Sequence, residues 1–204
     1  MSEDRELSTE ATEEEIANGV EDEFGVVYSK DGKRLLQCEN KDLEIYRIKQ
    51  GAEIIYDFAF CDCELLREID IPSTVKNICS YAFYNCKSLK EIIVPDSVRT
   101  IEFRAFEGCK SLQEIIIPES VINIEWRAFA HCVSLQQITI PCSITSIDED
   151  TFQNCKSLQE IIIPNSVAYI GRAAFYLCES LQQITIPNSI TSIEDFTFSN
   201  CKKL

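Results

Sequence analysis

Eleven cysteines and one histidine are the side chains here that could ligate a metal, form disulfides or supply a nucleophile and its base. Seven of the thiols, Cys63, Cys86, Cys109, Cys132, Cys155, Cys178 and Cys201, recur at one fixed interval. A zinc site needs closely spaced thiolates and imidazoles, yet no C-x-x-C occurs and only His131 offers an imidazole, so neither metal nor cofactor is expected. Disulfides along the ladder are disfavoured too. If units one interval apart stack like parallel strands, their Cβ atoms stand about 4.8 Å apart, beyond the roughly 3.5–4.5 Å that a disulfide spans. The expectation is a ladder of free thiols packed as small apolar groups.

Cys38, Cys61, Cys79 and Cys142 lie off that ladder. The slot of Cys142 holds Ser73, Asp96, Glu119, Asn165 and Asn188 in other units, and the slot of Cys79 holds mostly acids. Both thiols are therefore expected to be at least partly exposed. An odd number of cysteines, some exposed, fits a reducing compartment. His131 shares its slot with Asn85, Gly108, Asn154, Leu177 and Asn200, which marks a loop. With no positioned nucleophile and no glycine-rich phosphate loop, catalysis is not expected.

The elements that place these residues follow from the recurrence. All six prolines, Pro72, Pro95, Pro118, Pro141, Pro164 and Pro187, keep the same 23-residue interval. An imperfect copy runs from Leu43, and six closer ones open at Leu66, Leu89, Leu112, Leu135, Leu158 and Leu181 with the consensus L-x-x-I-x-I-P-x-S-V-x-x-I-x-x-x-A-F-x-x-C-x-S. Leu204 would open an eighth, truncated copy. The stretch from Leu112 is echoed from Leu158, as if units were duplicated in pairs.

A unit this short cannot enclose its own apolar face, but stacked units share one core. Leu66, Ile69 and Ile71 alternate as a strand does, and Pro72 ends it by removing a donor. Val75 and Ile78 carry the chain back across the core, and Ala82, Phe83 and Cys86 fill the far side. Seven coils at about 4.8 Å each predict a rod roughly 30 Å long, with one parallel sheet on its concave side and turns with irregular or helical segments on its convex side.

These motifs resemble the BspA-like subclass of leucine-rich repeats over about residues 43–204, and "GVVYSKDGKRLL" looks like the segment that often precedes such arrays. The resemblance implies an α/β repeat solenoid, a right-handed superhelix with a parallel concave sheet, used to bind other proteins. It also implies a place among surface or secreted adhesion proteins.

Residues 24–37 place two apolar runs around Lys30-Asp31-Gly32-Lys33, a β-hairpin expected to cover the first coil, so that 24–42 caps a repeat domain of 43–204. Residues 1–23 carry ten acids against Arg5; they form either a disordered acidic tail or a short helix with Thr9 as N-cap and Gly19 as stop. That segment holds -9 of the net charge of -15, leaving -6 for the rest. Without a basic stripe, nucleic acid and anionic membrane are poor partners. No signal peptide or membrane span is visible, which points to the cytoplasm, or to the cell surface if a leader has been removed.

Outward slots of the concave sheet offer the candidate partner site. Between the two strand isoleucines stand Arg47, Asp70, Ile93, Ile116, Thr139, Ile162 and Thr185, flanked by Glu68, Glu91, Glu114, Gln137, Glu160 and Gln183. Exposed apolar surface of this extent signals contact with a protein or peptide; the competing reading is that β-branched residues simply suit a stacked sheet. Phe103 and Trp126, with Phe196 one place on, are expected to pack on the convex surface or to anchor a partner. A last coil without a polar cap also suggests self-association at the C-terminal end.

Overall fold

The computed structural model describes residues 10–204. Helix α1 (Glu13–Ala17) is followed by β1 (Val20–Glu21), β2 (Val26–Tyr28) and β3 (Arg34–Cys38). Each coil then adds two strands: β4 (Ile45–Arg47) and β5 (Ile54–Ile55), β6 (Glu68–Asp70) and β7 (Asn77–Ile78), β8 (Glu91–Ile93) and β9 (Thr100–Ile101). The pattern continues with β10 (Glu114–Ile116) and β11 (Asn123–Ile124), β12 (Gln137–Ile138) and β13 (Ser146–Ile147), β14 (Glu160–Ile162) and β15 (Tyr169–Ile170), and β16 (Gln183–Thr185).

Parallel strands line two faces of the solenoid, where the sequence suggested one, and each face makes one sheet with an interrupted ladder. Most first strands pair with their counterpart one repeat on, as in Glu91↔Glu114 and Glu160↔Gln183, a bridge Thr139↔Ile162 links β12 to β14, and the ladder is interrupted between β6 and β8. The return segments pair in the same register, Ile55↔Ile78 and Ile101↔Ile124 among the pairs, in one ladder through β11 and a further one of β13 with β15. The return segments are thus short strands, the corners after them are turns as expected, and the α/β label is not borne out: among the described residues the only helix is α1, outside the repeats. The reason is spacing. Coils of equal length bring every return segment beside its copy, so the neighbouring backbone satisfies its amides without a helix.

The hairpin is present, with β2 antiparallel to β3 around a turn in which Gly32 N–H donates to Ser29 O at 2.8 Å. β1 adds to it antiparallel, and β3 runs parallel to β5, continuing the second sheet. Helix α1 begins at Thr12, whose hydroxyl accepts from Glu15 N while Glu15 returns a carboxylate to Thr12 N, a capping box. Thr9 lies outside the described residues, and the helix ends at an Asn18 cap, one residue before Gly19.

The core is a set of columns. Phe60, Phe83, Phe106, Phe129, Phe152 and Phe175 are fully buried and stack in series, ending on Phe198, with centroids 5.2–5.7 Å apart. Beside them each ladder thiol from Cys86 onward donates to a phenylalanine carbonyl of the preceding coil, Cys86 to Phe60 O and Cys109 to Phe83 O, each at 3.2 Å. All eleven cysteines are free. Burial pushes Cys109 and Cys155 well above the usual thiol range, which keeps them neutral donors. Every coil turns its far corner through two left-handed residues, Tyr81 and Asn85 in one coil and Arg104 and Gly108 in the next. No helix of the described residues is long and apolar enough to cross a membrane.

Candidate interaction surface

The outer face of the first sheet carries the residues singled out in the sequence. In β4, β6, β8, β10 and β14 the middle side chain is buried and its two neighbours point outward. Ile93, Ile116 and Ile162 are 68%, 56% and 68% exposed, whereas Ile92, Ile115 and Ile161 are buried. With Thr139 and Thr185 they form one column, and Glu91, Glu114, Gln137, Glu160 and Gln183 form the next, two places away on the same strands.

Two depressions lie on this face. One, of about 710 Å³, is lined by Glu91, Ile93, Glu114 and Ile116 together with Ile45, Arg47, Asp70 and Phe24. The other, of about 810 Å³, is lined by Gln137, Thr139, Glu160, Ile162 and Thr185, with Cys142 at its margin. Ile45 and Phe24 escaped sequence reading. Ile45 occupies the glutamate slot, as its register Ile45↔Glu68 requires, and the frame of the first copy would have found it. Phe24 comes from the segment before β2 and meets Tyr46 edge-on at 5.9 Å; no periodic signal marks it.

Several charges elsewhere are paired across coils. Glu53 meets Lys76 at 2.7 Å, Glu64 meets Lys87 at 2.5 Å, Arg127 meets Asp150 at 3.0 Å and Glu179 meets Lys202 at 2.6 Å, the partners of each pair one repeat apart. Arg67 joins Glu44 in the same way. In the glutamate column Glu68, Glu91, Glu114 and Glu160 join no ion pair among the described residues, and Glu91 and Glu114 stand in register. Like charges directly opposite in a sheet cost a few tenths of a kcal/mol or more.

On the far corner Phe103 and Trp126 stack at 3.9 Å, and the Arg104 guanidinium lies 4.8 Å from the Phe103 ring centroid. Trp126 and Phe196 remain exposed there, and Arg172 covers Phe196 at 5.3 Å. His131 is half-buried, with Nδ1 2.9 Å from Asn154 Nδ2, and burial pulls its pKa below the ordinary imidazole value.

Cys142 is exposed as expected, but Cys79 is completely buried, which corrects the sequence reading. The acids in its slot misled because they are not on a solvent margin. Glu125 accepts from Phe103 N at 2.9 Å and Glu102 from Ser80 N at 3.1 Å, so these carboxylates cap the amides of a half-buried corner. Asp57, Cys79 and Glu102 bring donor atoms within 4.8 Å of one another and could hold a divalent cation; Ser80 N–H already donates to Asp57 Oδ1 at 2.9 Å. Burial, with Glu125 and Asp57 nearby, pushes Glu102 up to about 7.

Comparison with known proteins accounts for this architecture. The model of the BspA type leucine rich repeat region matches six copies over residues 37–159 and 76–204. A leucine-rich repeat protein from Bacteroides ovatus superposes with a TM-score of 0.76 at 28% identity, over 89% of this chain and 54% of that one. The T. pallidum leucine rich repeat protein gives 0.63 at 27% identity, over 67% and 64%. A leucine rich cell surface protein from Faecalibacterium prausnitzii gives 0.57 at 27% identity, over 79% and 58%. The chain thus spans between 54% and 64% of the lengths of these relatives. Comparison with curated proteins gives no significant match. Six matched copies across most of the chain, on a solenoid whose coils pair in one constant register, establish that this protein belongs to the BspA-type leucine-rich repeat family.

Proposed function

We propose that the protein is a non-catalytic interaction module that binds a protein or peptide on the outer face of its first sheet, through Ile93, Ile116, Thr139, Ile162 and Thr185 and the flanking Glu91, Glu114, Gln137, Glu160 and Gln183. The exposure of Ile93, Ile116 and Ile162 carries this reading. Stacking in a sheet does not by itself call for isoleucine there, because Thr139 and Thr185 fill the same slots with a β-branched polar side chain. Contiguous exposed apolar surface on a rigid face is the common mark of a contact site. The hairpin, joined to the second sheet through β3, serves as the N-terminal cap.

The test exchanges Ile116 and Ile162 for lysine and repeats affinity capture from the native cell. Capture is expected to be lost while the circular dichroism spectrum stays unchanged, and capture that survives both exchanges rules the face out. Surface adhesion is a second reading, favoured by the description of the F. prausnitzii relative as a cell surface protein. Protease treatment of intact cells should then remove the protein, and full protection counts against it.

A further inference from the structure

Resting on the outer-face reading above, the charge pattern says what kind of partner fits. We infer that the occupant is a cationic amphipathic helix of a partner protein, its apolar stripe on Ile93, Ile116 and Ile162 and its basic stripe on the glutamate column. Three features carry this.

The glutamate column is the first. Elsewhere in the solenoid the register from coil to coil sets several acids against bases, as in Glu53–Lys76, Glu64–Lys87 and Arg127–Asp150. Glu68, Glu91 and Glu114 instead follow one another on three successive coils, and Glu160 occupies the same slot two coils further on. None has an ion-pair partner among the described residues, although Lys90 adjoins Glu91 in the chain. A cationic ligand would relieve that repulsion, whereas an anionic one would add to it.

The second feature is the other margin of the apolar column. There the turns after the strands expose Asp96 and Glu119, and Glu119 is held toward the face by the Cys142 N–H at 2.9 Å. Ile93 and Ile116 therefore run between two acidic margins, while Asn165 takes that slot beside Ile162. An apolar stripe bordered by lysine or arginine is the complement of that arrangement.

Spacing selects the helix. Coils repeat about every 4.8 Å along the column, and a helix lying along it presents a side chain to one line about every 5.4 Å, drifting by about 0.6 Å per coil. An extended segment repeats about every 6.7 Å on one face and falls out of step by about 2 Å per coil. Long basic side chains absorb the first mismatch over three or four coils but not the second.

The experiment titrates the full chain, by fluorescence anisotropy, against a labelled stapled helix of about 18 residues with a leucine stripe bordered by lysines. Two controls accompany it: a helix of the same composition with its lysines dispersed, and one with glutamate in place of lysine. The basic amphipathic helix is expected to bind at least about tenfold more tightly than either control, and to lose about tenfold in affinity to the variant Glu91→Gln/Glu114→Gln/Glu160→Gln. The same variant should keep its melting temperature or raise it slightly, since it removes only exposed charges that repel one another. Absence of binding, equal binding of a control, or binding that ignores the three exchanges overturns the inference. If native-partner capture is nonetheless lost in Ile116→Lys/Ile162→Lys, the outer-face reading stands without it; if capture survives there, both fall.

Discussion

Phe106 lies flat on Phe83, ring centroids 5.2 Å apart and planes within 4°, though a whole coil of chain separates them. Each ring is fully buried and each is covered by the ring of the next coil, so the stack transmits packing from coil to coil. This relationship sets the first expectation for stability. Phe106→Ala opens a hole between two rings that cannot close without shortening the coil, and it should cost about 3–5 kcal/mol. Phe103→Ala, on the outer stack, should cost nearer to about 1 kcal/mol. Urea unfolding of both variants checks the contrast, and equal losses would contradict it.

Leu177 sits at φ 61° in a slot that Asn85, Asn154 and Asn200 fill at similar angles. Asparagine tolerates the left-handed region where leucine is strained. Leu177→Asn should therefore stabilise the fold by roughly 0.5 kcal/mol, raising Tm by about 1–2 °C. A lower Tm would mean that the half-buried leucine contributes more through packing than it loses in the backbone.

Glu102 gives a pH dependence. Its carboxyl is pushed up to about 7 in the folded state from an ordinary 4.5, first by burial and then by Glu125 and Asp57. Folding thus takes up a proton between those values, so the contribution is fullest below about pH 4.5 and is lost as the pH rises through about 7. Glu102→Gln keeps an acceptor for the Ser80 N–H. It should nearly match the unmodified chain at about pH 4.5 and exceed its stability by roughly 2 kcal/mol at about pH 8, as paired denaturation curves would show.

The thiols should separate by reactivity. Cys142 is exposed, whereas the Cys61 thiol is pushed up to about 11 by burial and by Asp62. Iodoacetamide at about pH 8, followed by peptide mass spectrometry, should mark Cys142 first and Cys61 slowly. Cys79 and the buried ladder thiols should react only after unfolding, and early modification of Cys79 would contradict its burial.

Much of this was legible in the chain. The interval that repeats Phe106 and Cys109 names the buried columns, and the alternation around Ile115 and Ile116 tells which isoleucine faces inward. The second sheet was not legible, because Thr100–Ile101 is too short to display a period of two. The Thr12–Glu15 capping box was present in the sequence but was hidden among acids that read as a tail. Cys79 was misjudged because its slot mates are acids, and nothing in a linear sequence says that an acid is capping amides in a half-buried corner.

The sequence by itself determined that coils of equal length stack in register, since only in-register neighbours can cover the same apolar slots in every unit. The tertiary structure alone decided that the return segments become strands, that Glu102 gathers with Asp57 and Cys79, and that Phe24 and Ile45 border the outer face. Their partners lie one coil away, and the energy of those contacts comes from a neighbour that local spacing does not describe.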